Sequence, residues 1–226
     1  MSRGLGACVL FLLGCAQPAD VAPRLPNGTF RELHQNGLLA AERHFDKGLA
    51  VGKWRSWSED GVLLTELSFS RGRASGPMSV SYADGRPATR ARYRNGQLIG
   101  TREVFFESGD HAAIDRHVAG LPDGLHVRFW ANGRPMRANE YDRGRKDGLA
   151  IMWNRRTGKI AEILPYSGGS RDGYGIRFIG PQPEQTFYHR DLLISVEPLI
   201  GPFVEPPSGD ELIAELEKKS AARPEE

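Results

Sequence analysis

Large apolar side chains recur along this chain with a 24-residue period. One series runs Phe45, Phe69, Tyr93, His117, Tyr141 and Tyr166, and its last step is slightly longer than the others. A second series with the same spacing runs Leu33, Trp57, Ser81, Phe105, Phe129, Trp153 and Phe178. Each member lies in a short segment of about eight residues, a length typical of β-strands and too short for most helices. The pattern therefore predicts two strands in every repeat.

Glycines bound these segments and repeat with the same period. They form three parallel series, which are Gly37 to Gly158, Gly48 to Gly169 and Gly28 to Gly173. Several glycines follow an asparagine or aspartate, as in Asp60-Gly61 and Asn95-Gly96. Such dipeptides accept the positive φ angles of β-hairpin turns. Residues 28–180 are therefore predicted to form about six consecutive hairpins.

The repeat resembles a known family. The matching residues are the segment Gly52–Trp57, Asp60, Gly61, Glu66, Phe69 and Gly72, with their counterparts in the other repeats. They resemble the MORN-repeat variant known as the YwqK-type antitoxin repeat. The resemblance implies an all-β fold, an elongated antiparallel β-meander of about a dozen strands, to which the pattern of the last residues adds a short C-terminal helix. Ser81, His117, Pro87 and Pro135 depart from the pattern and indicate bulges or edge irregularities there.

The first 27 residues have the pattern of an export signal followed by a tether. Arg3 precedes an uncharged apolar stretch from Gly4 to Leu13, which is about half the length of a membrane-spanning helix. Leu12-Leu13-Gly14-Cys15 resembles the bacterial lipobox. We therefore expect residues 1–14 to be removed and Cys15 to be acylated, with residues 15–27 forming a Pro/Ala-rich tether. Ordinary signal cleavage after Ala16 is the alternative.

The resemblance to lipoproteins also implies an address. Ala16 stands where an aspartate would signal retention in the inner membrane, so the outer membrane is the expected location of the anchor. Acyl chains of the usual number would hold the protein stably to the bilayer. Cleavage before Cys15 would also remove Cys8, which leaves no pair of cysteines for a disulfide.

Residues 181–226 have a different pattern. Asp191 to Phe203 is apolar and contains Pro198 and Pro202, which favours an extended segment. Ser208 and Glu211 have capping-box spacing, and Leu212, Ile213 and Leu216 would share one side of a helix from 208 to 221. We expect this helix to cap the sheet and the last residues to fray.

Overall charge excludes one class of function. The chain has 30 Lys+Arg and 28 Asp+Glu, a net charge of +2, which is too balanced for a typical nucleic-acid-binding protein. Arg90, Arg92 and Arg94 alternate along one predicted strand and would project from one face. They could contact anionic lipid headgroups or an acidic partner, or they could simply solubilise an open sheet.

No sequence motif for catalysis is present. The sequence has no G-x-S-x-G, H-E-x-x-H, Walker or C-x-x-C motif. His117 and His126 could approach each other across one turn, whereas His111 is too distant along its strand to share an ion with His117. Recurring carboxylates, namely Glu42, Glu66, Glu140 and Glu162, favour pairing with arginines of neighbouring strands. We therefore expect no enzyme activity, no cofactor and no metal site.

The remaining candidates for function are surface side chains. A single-layer sheet cannot bury every aromatic, so Trp54, Trp57, Trp130 and Trp153 are predicted to contribute to a partner-binding surface together with the three arginines. The leading hypothesis is a non-enzymatic, lipid-anchored envelope scaffold that binds another protein. The alternatives are an antitoxin or immunity protein, and a direct binder of membrane lipid or cell-wall glycan.

Overall fold

A computed structural model describes residues 27–178, 180, 182–199, 211, 214 and 218 of the chain. Its strands form one antiparallel sheet in which almost every strand pairs with its neighbours in sequence. The strands are β1 Gly28–Leu33, β2 Leu39–Asp46, β3 Leu49–Trp57, β4 Leu63–Ser70, β5 Arg73–Ser81, β6 Pro87–Arg94, β7 Gln97–Phe105, β8 His111–Val118, β9 Leu121–Phe129, β10 Pro135–Asp142, β11 Arg145–Trp153, β12 Ile160–Ser167, β13 Ser170–Arg171, β14 Gly173–Arg177, β15 Glu184–His189 and β16 Leu192–Pro198. The predicted all-β meander is confirmed.

Two kinds of turn alternate along the sheet. Two-residue turns follow the even-numbered strands of the repeats, as at Asn95 (φ 52°) and Gly96 (φ 86°). Positive φ at both central residues defines the type I′ turn, whose twist matches that of the flanking strands. The Gly96 N–H also donates a hydrogen bond of 2.7 Å to the Ala74 carbonyl of the preceding hairpin. Each such turn therefore joins two successive hairpins.

Longer turns follow the odd-numbered strands. At Ser58–Val62, the Gly61 N–H donates to the Ser58 carbonyl at 3.0 Å, and the Ser58 N–H donates to the Val62 carbonyl at 2.9 Å. Gly61 has a φ of 81°. This is a tight turn closed by a glycine bulge, a common short hairpin connection. The turns predicted at the series Gly37 to Gly158 and Gly48 to Gly169 are thus confirmed, whereas the series Gly28 to Gly173 lies within strands.

The glycine and aromatic series meet at one cross-strand register position. Each glycine inside an odd-numbered strand lies directly opposite an aromatic or histidine on the next strand. The pairs are Gly28 with Phe45, Gly52 with Phe69, Gly76 with Tyr93, Gly100 with His117, Gly124 with Tyr141 and Gly148 with Tyr166. All six glycines have a positive φ, which other residues rarely adopt, so a glycine recurs wherever this strand geometry recurs opposite a ring.

The sheet continues beyond the predicted boundary at residue 180. Gly173 pairs with Tyr188 in the same way as the earlier glycines, and β16 then pairs with β15. Residues 184–198 therefore add two strands to the array, and the second of them, β16, lies within the segment Asp191 to Phe203 that was expected to be extended. Of the predicted helix from 208 to 221, the described residues Glu211, Ala214 and Lys218 are helical. The signal, Cys15 and the tether up to residue 26 lie outside the described residues.

The two faces of the sheet differ in character. We call the face that carries Phe45 and Trp54 face 1, and the face that carries Arg55 and Ile151 face 2. A single row of paired residues crosses face 2 from β1 to β12: Arg31, Glu42, Arg55, Glu66, Ser79, Arg90, Glu103, Ile114, Val127, Ala138, Ile151 and Ile163. The row is mostly charged in its first half and apolar in its second.

The apolar half of this row belongs to the hydrophobic core. The core cluster lies on face 2 of strands β9 to β12 and contains Leu125, Val127, Ala138, Ile151, Trp153 and Ile160, with Phe129, Ile163 and Phe178 packed against it. The packing of these side chains against one another removes their apolar surface from water, which stabilises this part of the sheet. The C-terminal half of the array is therefore its better packed part.

The first four members of this row form a ladder of ion pairs. Glu42 bonds to Arg31 at 2.8 Å, and Glu66 bonds to Arg55 and Lys53, each at 2.8 Å. Hydrogen bonds from Lys53 and Arg55 lower the pKa of Glu66 below its usual value. Glu42 and Glu66 thus pair with cations of neighbouring strands, as their recurrence predicted.

Candidate functional site

Face 1 carries a continuous row of aromatic rings on its first four strands. Phe30, Phe45, Trp54 and Phe69 follow one another with ring centroids 5.4, 5.1 and 4.6 Å apart. We call these four residues the aromatic stripe. All four are only partly buried. The stripe is therefore both a packing ladder between strands and an accessible apolar surface.

Trp54 lies inside this stripe and is held firmly. Its indole Nε1 donates a hydrogen bond of 3.1 Å to the His44 carbonyl, and the Arg43 guanidinium carbon lies 5.9 Å from its ring centroid. Tryptophan and arginine are among the residue types most enriched in energetically dominant interface contacts. A rigid indole flanked by a guanidinium is suited to stack against a partner.

Further along face 1, apolar side chains give way to polar ones. One repeat position is occupied in successive units by Trp54, Met78, Arg102 and His126. A second position is occupied by Leu67, Ala91, Asp115 and Asn139. The polar members of both series and His117 form what we call the polar cluster: Arg102, Asp115, His117, His126 and Asn139. Four of them make one cross-strand row over β7 to β10.

The contacts of the polar cluster centre on Asp115 and His126. Arg102 donates through Nε to Asp115 Oδ2 at 3.1 Å and contacts the same oxygen through Nη2. His126 Nε2 lies 2.7 Å from the Arg116 carbonyl, and its Nδ1 lies 3.5 Å from Asp115 Oδ1. A carbonyl oxygen can only accept, so Nε2 carries the hydrogen and the neutral ring has its lone pair at Nδ1, towards Asp115.

Burial makes this cluster unusual. Asp115 is 1% exposed and His117 is 8% exposed. Asp115 Oδ1, His117 Nδ1 and Asn139 Oδ1 are buried without a hydrogen-bond partner. Burial lowers the pKa of His117 to about 4, and the nearby His126 and Arg102 act in the same direction. Burial likewise lowers the pKa of His126.

The polar cluster lacks the geometry of a metal site. Within the described parts of the chain, no three His, Cys, Asp or Glu side chains converge on a common point that could hold an ion. The rings of His117 and His126 do meet, with centroids 5.2 Å apart, as the sequence allowed. His111 lies instead on β8 beside Glu103, at 3.1 Å. The chemistry that this arrangement supports is proton exchange at the two buried imidazoles.

The four tryptophans do not form one surface. Trp54 lies on face 1, whereas Trp153 is 4% exposed in the core on face 2. Trp57 is partly buried at the end of β3, where its carbonyl accepts a hydrogen bond from His34 Nε2 at 2.9 Å. Trp130 begins a turn, with the guanidinium carbon of Arg155 5.3 Å from its ring centroid. Trp153 therefore contributes packing, and Trp54 remains the best placed for contact with a partner.

The three arginines are arranged as the alternation predicted. Arg90, Arg92 and Arg94 are all exposed on β6, with Arg90 in the face 2 row. The Arg90 guanidinium carbon lies 5.3 Å from the Phe105 ring centroid. They lie on the opposite face from the aromatic stripe, so one flat partner could not contact both sets.

The other predicted carboxylates also have structural contacts. Glu140 Oε2 accepts a hydrogen bond of 2.7 Å from the Leu149 N–H. Glu162 Oε1 accepts one of 3.1 Å from Arg177 Nε. Both contacts join neighbouring strands, so the recurrence of these carboxylates reflects strand pairing.

The residues of the polar cluster can be recognised in the sequence when its repeats are compared with one another. The sequence suggests His117 and His126 as a possible pair, but no motif singles out Arg102, Asp115 or Asn139. Each of these three occupies a repeat position that is apolar in earlier units, such as Leu67 or Met78. The interruption of a repeated apolar position is therefore the feature that marks the cluster.

Comparisons with known proteins do not assign the chain to a family. No family model matches it, and no curated protein matches it. Among solved structures, it is similar to the S. aureus protein TarM, crystallised with fondaparinux, alpha-GlcNAc-glycerol and UDP. The match covers 55% of this chain and 22% of that chain, with 14% identity and a TM-score of 0.27.

The part of the chain that the structure describes contains no helix with the length and hydropathy of a membrane span.

Proposed function

We propose that this protein is a non-enzymatic interaction scaffold of the bacterial envelope, held to the membrane through acylated Cys15, which binds another protein through the aromatic stripe. The observation that carries the proposal is the row of four partly exposed rings across strands β1 to β4. A contiguous row of partly exposed aromatic side chains is a common feature of protein-binding surfaces.

The placement of the stripe supports this function. It lies on the first strands after the proposed tether, so a partner bound there would stand near the membrane. The MORN-like repeat adds a rigid platform, since every strand is hydrogen-bonded to its neighbours. Binding energy is then not lost in ordering the surface.

Trp54→Ala is expected to abolish capture of the partner from intact cells, whereas Trp57→Ala should leave it nearly unchanged. The two residues lie on the same strand, but only Trp54 belongs to the stripe. A central aromatic contributes roughly 2 kcal/mol or more to an interface, about a 30-fold loss in affinity. Crosslinking of affinity-tagged protein followed by identification of the co-purified molecules measures this, with Cys15→Ser as the unanchored control.

The outcome also distinguishes the alternatives. Equal capture by the two tryptophan variants would exclude the aromatic stripe as the binding surface. Recovery of a toxin encoded by a neighbouring gene would favour the antitoxin hypothesis. Lipid or wall glycan without a protein would favour direct surface binding, and charge reversal of Arg90, Arg92 and Arg94 would then test the face 2 arginines.

A further inference from the structure

We propose that His117 and His126 form a proton-binding site in the middle of the sheet, and that proton uptake there loosens strands β8, β9 and β10 in acid. The site is independent of the proposed partner surface. The two rings are adjacent, largely buried and positioned between strands that hold the two halves of the array together.

The first proton has a defined place. His126 Nε2 already donates to the Arg116 carbonyl, so an incoming proton can bind only at Nδ1. That atom lies 3.5 Å from Asp115 Oδ1, which has no hydrogen-bond partner. Protonation would replace two facing lone pairs by an N–H to carboxylate hydrogen bond.

The second proton, at His117, is opposed by its surroundings, because burial, His126 and Arg102 lower the pKa of His117 by more than Asp115 raises it. His117 Nδ1 is buried without a partner, and its ring centroid lies 5.2 Å from that of His126. An imidazolium at His117 would face a second imidazolium at close range. Burial of an unpaired charge is one of the largest unfavourable contributions in a protein.

The surrounding charges act in the same direction. The other titratable or charged side chains on face 1 of strands β6 to β11 are Tyr93, Arg102, Asp115, Arg128, Arg137, Tyr141 and Lys146. These groups therefore include one carboxylate, which already binds Arg102, and four cationic side chains, namely Arg102, Arg128, Arg137 and Lys146. Their field disfavours the addition of two further positive charges.

The sign of the pH dependence follows from these contacts. The pKa of His117 is about 4 in the folded protein and that of an unfolded histidine is 6.5. Between these values the unfolded chain binds more protons, so stability is complete above pH 6.5 and is lost as the pH falls towards 4. The contribution of His117 by itself should make the equilibrium constant for unfolding about 30-fold larger at pH 5 than at pH 8.

His117→Tyr is the decisive variant. Tyrosine occupies the equivalent position in the two adjacent repeats, as Tyr93 and Tyr141, each opposite a strand glycine. The variant should fold. The ratio of its equilibrium constants for unfolding at pH 5 and pH 8 should be about 30-fold smaller than in the wild-type protein. His111→Asn removes a partly exposed histidine from the same strand and should retain the wild-type dependence. Urea unfolding of the full chain at both pH values measures each variant.

NMR titration of the histidine Cε1 protons of the wild-type protein tests the site without any substitution. The pKa of His117 is expected to be about 4, with amide exchange in β8 to β10 rising before that in β1 to β4 as the pH falls. A His117 that titrates like an unfolded histidine would overturn the proposal. An unchanged pH dependence in His117→Tyr would overturn it as well.

Discussion

Replacing Ile151 with alanine is expected to lower the free energy of unfolding by about 3 to 4 kcal/mol. Ile151 is fully buried and pairs with Ala138 on one side and Ile163 on the other. It lies at the centre of the core cluster on face 2, where its truncation would leave a cavity among packed apolar side chains. The lost contacts are therefore not easily replaced.

Met152→Ala is the matched control for this prediction. Met152 is the next residue on β11 but lies on face 1 and is 45% exposed, so its truncation should cost less than about 1 kcal/mol. Urea unfolding compares the two variants. Equal losses would mean that the face 2 cluster is not the core of the protein.

The location of the damage is a second test. Strands contact mainly their neighbours, so stability is distributed along the array rather than shared by one global core. Hydrogen exchange in Ile151→Ala should therefore increase in β9 to β12 and remain close to wild type in β1 to β4.

Replacing Arg102 with methionine is expected to destabilise the protein by about 3 kcal/mol at neutral pH. The substitution leaves Asp115, which is 1% exposed, without the guanidinium that binds its Oδ2. Leaving a buried carboxylate unpaired destabilises a protein by several kcal/mol. An intact buried ion pair, by comparison, adds little stability beyond that of an apolar pair in the same place.

The double variant Arg102→Met with Asp115→Leu is expected to restore most of this loss. Methionine occupies the position of Arg102 in the preceding repeat, as Met78, and leucine occupies the position of Asp115 two repeats earlier, as Leu67. The double variant thus introduces two apolar side chains that face 1 already accommodates at equivalent positions. A double-mutant cycle by urea unfolding, completed with Asp115→Leu alone, gives the coupling between the two side chains.

A simple result would contradict the buried-pair interpretation. If Arg102→Met and Asp115→Leu each cost little and their effects add, the two side chains do not depend on each other. Strong non-additivity, with both single variants less stable than the double variant, is the expected result.

Local rules account for most of what could be predicted about this fold. A short strand followed by a two-residue turn has few alternatives, so the 24-residue period predicted the hairpins, their turns and their order. The glycine series marked the turns, whereas the bulges beside strand glycines such as Gly52, which has a positive φ of 66°, emerged only in the structure. The seventh unit is not apparent from the sequence, because the step from Tyr166 to Tyr188 is shorter than the steps before it.

The sequence by itself thus determined the architecture, because hairpin pairing depends on turns and alternation between residues close in the chain. The face that each side chain occupies depends on the cross-strand register. Each β-bulge shifts that register, and the shifts accumulate over many strands. Only the tertiary structure therefore separated Trp54 from Trp153 and joined Phe30 to Phe69 in one stripe. It also buried Asp115 beside His126, because burial depends on neighbours that no single repeat contains.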